Sequence, residues 1–225
     1  MTSKQVLKEL KALGTAQNRK IYGRHGVMGE QFGVSYGNMG KLSKKLGKDS
    51  VLARGLWASG NHDARILACM VAEPAEFKAG ELDAMSRELD NYVITDAFCG
   101  LAAKSPSAVA RMKKWCAAKG EWVSAAGWNL MCIAAGRSEL DDSYFLEQVA
   151  TIEAKIQGSK NRTRHSMNQA LICIGLRGPK MRKAAVAAAK RIGVVKVDHG
   201  ETSCMTPDAQ EYIAKTLAHR KTKKK

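Results

Sequence analysis

Three cations and an imidazole crowd one stretch of this chain: Lys160, Arg162, Arg164 and His165. The stretch reads as a helix start, where the macrodipole is already positive and further positive charge is disfavoured. A purely structural account of the cluster is therefore weak, and contact with phosphate is the chemistry it suits; a solvated helix start is the plainer alternative. Comparable polar and aromatic groups recur along the chain. They are His62, Asp63 and Arg65; Asn91, Tyr92 and Asp96; Trp122, Ser124 and Trp128; and, beyond the basic cluster, Asn168 and Gln169. Tyr92 and Asp96 are spaced i, i+4, so a helix presents both on one face. Trp122 and Trp128 are six positions apart and do not share a face; Trp128 reads as packing. His62 reads as an interhelical hydrogen-bonding group rather than a catalyst.

Other chemistries find little support. The six cysteines form no C-x-x-C pair and sit near no histidine cluster, so zinc is not expected. They do not look like a disulfide framework either. Cys69, Cys99, Cys132 and Cys173 lie in apolar helical context, where a thiol behaves as a small hydrophobe. The glycine-bearing stretch Gly26–Val34 lacks the G-x-x-x-x-G-K-[ST] pattern of a phosphate-binding loop and reads as an ordinary loop. No metal and no cofactor are expected.

The elements that must carry these groups follow from a recurrence. Leu67-Ala-Cys-Met-Val-Ala72, Phe98-Cys-Gly-Leu-Ala-Ala103, Met131-Cys-Ile-Ala-Ala-Gly136 and Ile172-Cys-Ile-Gly-Leu176 are nearly the same string, at spacings that drift. That is the signature of degenerate helical repeats. Stacked helix pairs follow, each with a cysteine on its second helix, and such arrays present an extended concave surface. Pairs are expected at 49–60 with 61–72, 79–89 with 91–104, 106–118 with 120–135, and 142–157 with 161–176. Helices at 3–13, 17–23, 35–46, 180–192 and 207–218 complete the set, with 194–207 irregular. The second helices are poor in charge and rich in small residues, which makes them the closely packed inner layer. The expected architecture is all-α, one helical-repeat domain over 1–218 with the array mainly in 36–192, and a disordered basic tail at 219–225.

Charge sets the partner. Lysine and arginine number 37 against 21 acidic residues, a net charge of +16. That excess draws a polyanion, with nucleic acid ahead of a membrane surface. No apolar run nears the length of a membrane span, and no hydrophobic signal region follows Met1. A cytoplasmic protein, nucleoid-associated if bacterial, and a monomer are expected.

Phe32-Gly-Val34, the run from Leu56 to Ala68, Leu89 to Asp96, Trp122 and Asn168-Gln-Ala-Leu171 together resemble the DNA alkylation repair (AlkD-like) family. The likeness lies in their order and spacing over roughly residues 30 to 190. The resemblance implies a curved solenoid of HEAT-like repeats with a concave basic face, and DNA as the partner. It also implies a glycosylase that excises cationic N3- or N7-alkylated purines without flipping the base. Such a base is already a good leaving group, so the main task is to stabilise positive charge growing on the deoxyribose. By resemblance Asp96 supplies that carboxylate, and Tyr92 stands where the family usually has tryptophan. The family's arginine after Trp122 falls on Ala125, and its second cradle tryptophan falls on Gln169. The alternatives are a relative that binds duplex or branched DNA without chemistry, and a protein-interaction scaffold.

Overall fold

The structure, a computed structural model, describes residues 1–222. Among the described residues it is entirely helical, with no β-strand. None of these helices is long and apolar enough to cross a membrane. The chain folds as two compact units, Met1–Ala108 with His199–Thr202, and Val109–Asp198 with Ser203–Lys225.

The first unit contains α1 (Ser3–Leu13), α2 (Ala16–Arg24), α3 (Tyr36–Leu46), α4 (Ser50–Ala58), α5 (His62–Val71), α6 (Ala79–Arg87) and α7 (Tyr92–Ala102). Most begin at a residue whose side chain accepts a hydrogen bond from the third helical N–H. Thr2, Thr15, Ser35, Asp49, Asn61 and Asn91 all do so. Each such cap stabilises its helix by about 1 kcal/mol over alanine. α5 is the hub and packs against α1, α3, α4 and α7. Its Ile66 and Leu67 are fully buried, together with Leu10, Met39, Leu56 and Phe98 from its neighbours.

The loop between α2 and α3 is tied to this hub by one carboxylate. Asp63, fully buried, accepts from the backbone N–H groups of Phe32 (2.6 Å), Gly33 (3.1 Å) and Val34 (2.7 Å). Gly33 has φ +77°, and a Cβ there would sit 2.5 Å from the Thr15 carbonyl oxygen, so only glycine fits.

The second unit holds all but the first residue of α8 (Ala108–Cys116), then α9 (Glu121–Ala135), α10 (Asp142–Lys155), α11 (Asn161–Gly175), α12 (Pro179–Ile192) and α13 (Ala209–Thr222). α8 starts later than the expected 106 because the chain turns first. Ser105 N–H bonds Ala102 O, and Ala108 N–H bonds Ser105 O. Here α11 is the hub, packed against α9, α10, α12 and α13. α9 lies close against the end of α8: a Cβ on Gly127 would fall 2.3 Å from the backbone nitrogen of Cys116. The close packing expected of this second helix is present, since Ser124, Ala125, Ala126, Gly127 and Trp128 are all buried. α13 continues through residues 219–222, where disorder was expected; residues 223–225 of that tail lie outside the described residues.

The cysteines depart from expectation. Cys69 and Cys99 stay thiols, and burial pushes the Cys69 thiol up to about 12. Cys132 on α9 and Cys173 on α11 instead form a disulfide, with Cα atoms 5.2 Å apart. Their apolar surroundings spoke for packing, and packing is what brings the equivalent positions of two adjacent helices face to face.

Candidate nucleic-acid interface

The polar start of α5 serves the fold. Asp63 holds the loop, and His62 is buried, its ring edge-on to Tyr22 at 5.5 Å. Burial lowers the His62 pKa, because the charged imidazolium is the form that loses hydration. Arg65 pairs with Glu88 at 2.5 Å, donates to Trp57 O at 3.3 Å and lies 5.1 Å above the Trp57 ring. None of these three is left to meet a ligand.

The start of α7 is different. Asn91 caps the helix, accepting from Ile94 N–H at 3.1 Å, and this fixes the direction in which the first turn points. Tyr92 is half-buried, and its hydroxyl hydrogen-bonds Nδ1 of His25, with the two rings edge to face at 5.8 Å. Asp96, one turn on, is exposed, while Ile94 and Thr95 between them are buried. Tyr36, the first residue of α3, stands 46% exposed and within electrostatic reach of that carboxylate. Its hydroxyl is pushed up to about 12, first by partial burial and then by the nearby Tyr22, Asp96, Cys69 and Asp63. An accessible acid thus has an oriented phenol one turn away and a second phenol that feels its charge. Sequence reasoning missed His25 and Tyr36. The helix-start position of Tyr36, directly after the Ser35 cap, was the available signal; His25 pairs over 67 residues and gave none.

In the second unit the starts of α9 and α11 are joined. Glu121 Oε1 accepts from Arg162 N–H at 2.7 Å, and Glu121 O accepts from the Thr163 hydroxyl at 3.0 Å. Trp122, next in chain, is half-exposed, and so are Arg162, His165 and Gln169; Lys160 is exposed. Trp128 is buried at 2%, as packing. Ala125 is also 2% exposed and offers no polar group where the family resemblance asks for arginine. Asn168, 1% exposed, is no surface residue; it donates to Pro207 O at 3.0 Å.

Arg164 is committed to backbone carbonyls. Its guanidinium donates to Lys196 O at 2.8 Å and Ser159 O at 2.9 Å. Asn161 pairs with the backbone of Asp198 in both directions at 2.8 Å, and Gln157 donates to Ile192 O and Val194 O. The irregular segment after α12 is thus held by the start of α11. Among the described residues no group of three or more His, Cys, Asp or Glu could hold a metal ion.

Comparison with known proteins accounts for the helical repeats. Lin0241 of Listeria innocua and Lmo0209 of Listeria monocytogenes are each 29% identical to this chain over 222 residues, covering 96% of it and 97% of their own length. A solved structure from a family of proteins related to the HEAT-like repeat DNA glycosylases, with affinity for branched DNA structures, matches at a TM-score of 0.89. It is 28% identical, and the match covers 98% of this chain and 95% of that one. The fold is therefore of the HEAT-like repeat type. The family model for DNA alkylation repair enzymes matches residues 6–213, nearly the whole chain. The protein belongs to the DNA alkylation repair enzyme family.

Proposed function

We propose that this protein binds DNA, branched DNA in particular, without needing to excise a base. The observation that carries this reading is the buried Ala125, where a catalytic member would present arginine. Single contacts of that kind are worth about 1–3 kcal/mol to transition-state binding. The net charge of +16 supplies nonspecific attraction to phosphate. Lys160, Arg162 and His165 at the start of α11, with Trp122 and Gln169, supply positioning contacts and a flat face. The similar structure's affinity for branched DNA supports the choice of ligand. Measured binding to a four-way junction and to duplex of equal length should favour the junction and fall steeply with salt. Salt-independent binding, or no binding at low salt, would refute the reading.

A second reading keeps the chemistry. Asp96 is exposed on α7, with Tyr92 on the same helical face and Tyr36 within electrostatic reach. That arrangement suits a carboxylate stabilising an oxocarbenium-like sugar as a cationic alkylpurine leaves, with an aromatic face beside it. Release of N3- or N7-alkylpurine from treated DNA, abolished in Asp96→Asn, would establish it.

A further inference from the structure

The second unit contains an open cavity of about 590 Å³ that shares only Lys160 with the interface described above. Four lysines stand around it: Lys113 on α8, Lys119 in the turn that follows, Lys155 at the end of α10 and Lys160 at the start of α11. No aspartate or glutamate is among the residues that line it. All four lysines are exposed, and among the described residues none forms an ion pair. The nearest use of any of these ammonium groups is Lys113 over the Tyr144 ring, 4.8 Å from its centroid. Four like charges around one cavity, with no carboxylate in its lining, raise the local positive potential and concentrate anions.

The interior is not polar throughout. Trp128 (2% exposed) and Met167 (1% exposed) give it an apolar floor, and Tyr144 gives it an aromatic wall. Buried Ser124 and half-buried Gln148 add hydrogen-bonding groups to the lining. The capping positions of α9 and α11, Gly120 and Lys160, make no side-chain cap; Lys160 itself lines the cavity, as does Lys119 just before Gly120. The carboxylate beside them, Glu121, is turned to Arg162 N–H and does not line the cavity.

We propose that this cavity binds a phosphomonoester attached to a flat ring, such as the phosphorylated end of a DNA strand. The volume falls within the roughly 300–1,000 Å³ of small-molecule sites, enough for one nucleotide. A terminal phosphate carries about −1.5 to −2 charge at neutral pH, more than an internal diester, and so makes fuller use of four ammonium groups. The base or sugar then lies on the Trp128 and Tyr144 side. The site stands on the second unit alone and does not depend on Asp96 or on base excision.

The test uses the full chain and a single-stranded decamer with either a 5′-phosphate or a 5′-hydroxyl, read by fluorescence anisotropy. Titration with dAMP and with deoxyadenosine runs alongside, read by tryptophan fluorescence. The phosphorylated decamer should bind about tenfold tighter than its hydroxyl twin. The preference should vanish in a Lys119→Gln/Lys155→Gln variant whose circular dichroism and binding of hydroxyl-ended duplex are unchanged. Saturable binding of dAMP but not deoxyadenosine, with no preference between the decamers, would also support the site and assign it to a free nucleotide. Equal affinity for both decamers together with no response to dAMP overturns the proposal. So does a preference that survives in the double variant.

Discussion

The phenol of Tyr92 and the imidazole of His25 are hydrogen-bonded through Nδ1, joining the first residue of α7 to the chain just after α2. This bond fixes the Tyr92 ring one turn before Asp96 and leaves its hydroxyl engaged. Tyr92→Phe should keep the ring but lose the restraint, weakening DNA binding by about 0.5–1.5 kcal/mol. Tyr92→Ala should cost more, about 1–3 kcal/mol, because the stacking face goes as well. Equilibrium binding of both variants to one junction substrate checks the order; equal losses would deny the hydroxyl a part.

Asp96 separates binding from chemistry. Asp96→Asn should leave junction affinity within about twofold, or tighten it slightly by removing a negative charge near phosphate. Under the catalytic reading the same change abolishes purine release. Assaying binding and release on one preparation reads both at once.

Arg162 and Arg164 should behave unlike one another although they are two residues apart. Arg162→Ala should lower the slope of log K against log salt by about 1, as the loss of one phosphate contact does. Arg164→Ala removes the bonds to Lys196 O and Ser159 O, so its main effect should be faster amide exchange in residues 194–198. Identical salt slopes with unchanged exchange for Arg164→Ala would show that these carbonyl contacts do not hold the segment.

Asp63→Ala should destabilise the protein by about 3–5 kcal/mol, because three backbone N–H groups lose a shared buried acceptor. Urea unfolding gives the figure directly. A loss under 1 kcal/mol would mean that the 32–34 loop finds other partners.

His62 makes stability depend on pH. Its ordinary value is 6.5, and burial lowers it in the folded protein, with Arg65 also lowering and Asp63 and Asp90 opposing. As pH falls below about 6.5 the unfolded chain takes up a proton there that the folded chain still refuses, so stability drops. The urea midpoint of the natural protein should fall more between pH 7.5 and 5.5 than that of His62→Gln. Parallel midpoints would exclude this histidine as a source of the slope.

Where a signal was local, the sequence carried it. Asn61 and Asn91 announce α5 and α7, and Gly47 ends α3, because caps act within one turn. The i, i+4 placement of Tyr92 and Asp96 was legible for the same reason. What was not legible is pairing at a distance. Tyr92 meets a histidine 67 residues away, Cys173 meets Cys132 across 41, and Arg164 turns to a carbonyl 32 residues on. In each case the residue type was noticed, but its partner lay on an element whose neighbour the periodicity does not specify. Arg164 and Asn168 therefore looked like surface chemistry while serving the segment after α12.

The uneven capping of the helices has a consequence for how the protein comes apart. In the first unit α1–α5 and α7 are closed by their own side chains, whereas α9, α10, α11 and α12 begin at Gly120, Asp141, Lys160 and Gly178 with no such bond. Helix ends without caps fray at lower cost, so the openings of α9, α10 and α12 form the shallow end of the native free-energy landscape. An anion settling on them would supply what the sequence withholds, and occupancy would be felt there as rigidity. α11 draws part of its closure from Glu121; for α9, recognition and the completion of folding are then one event.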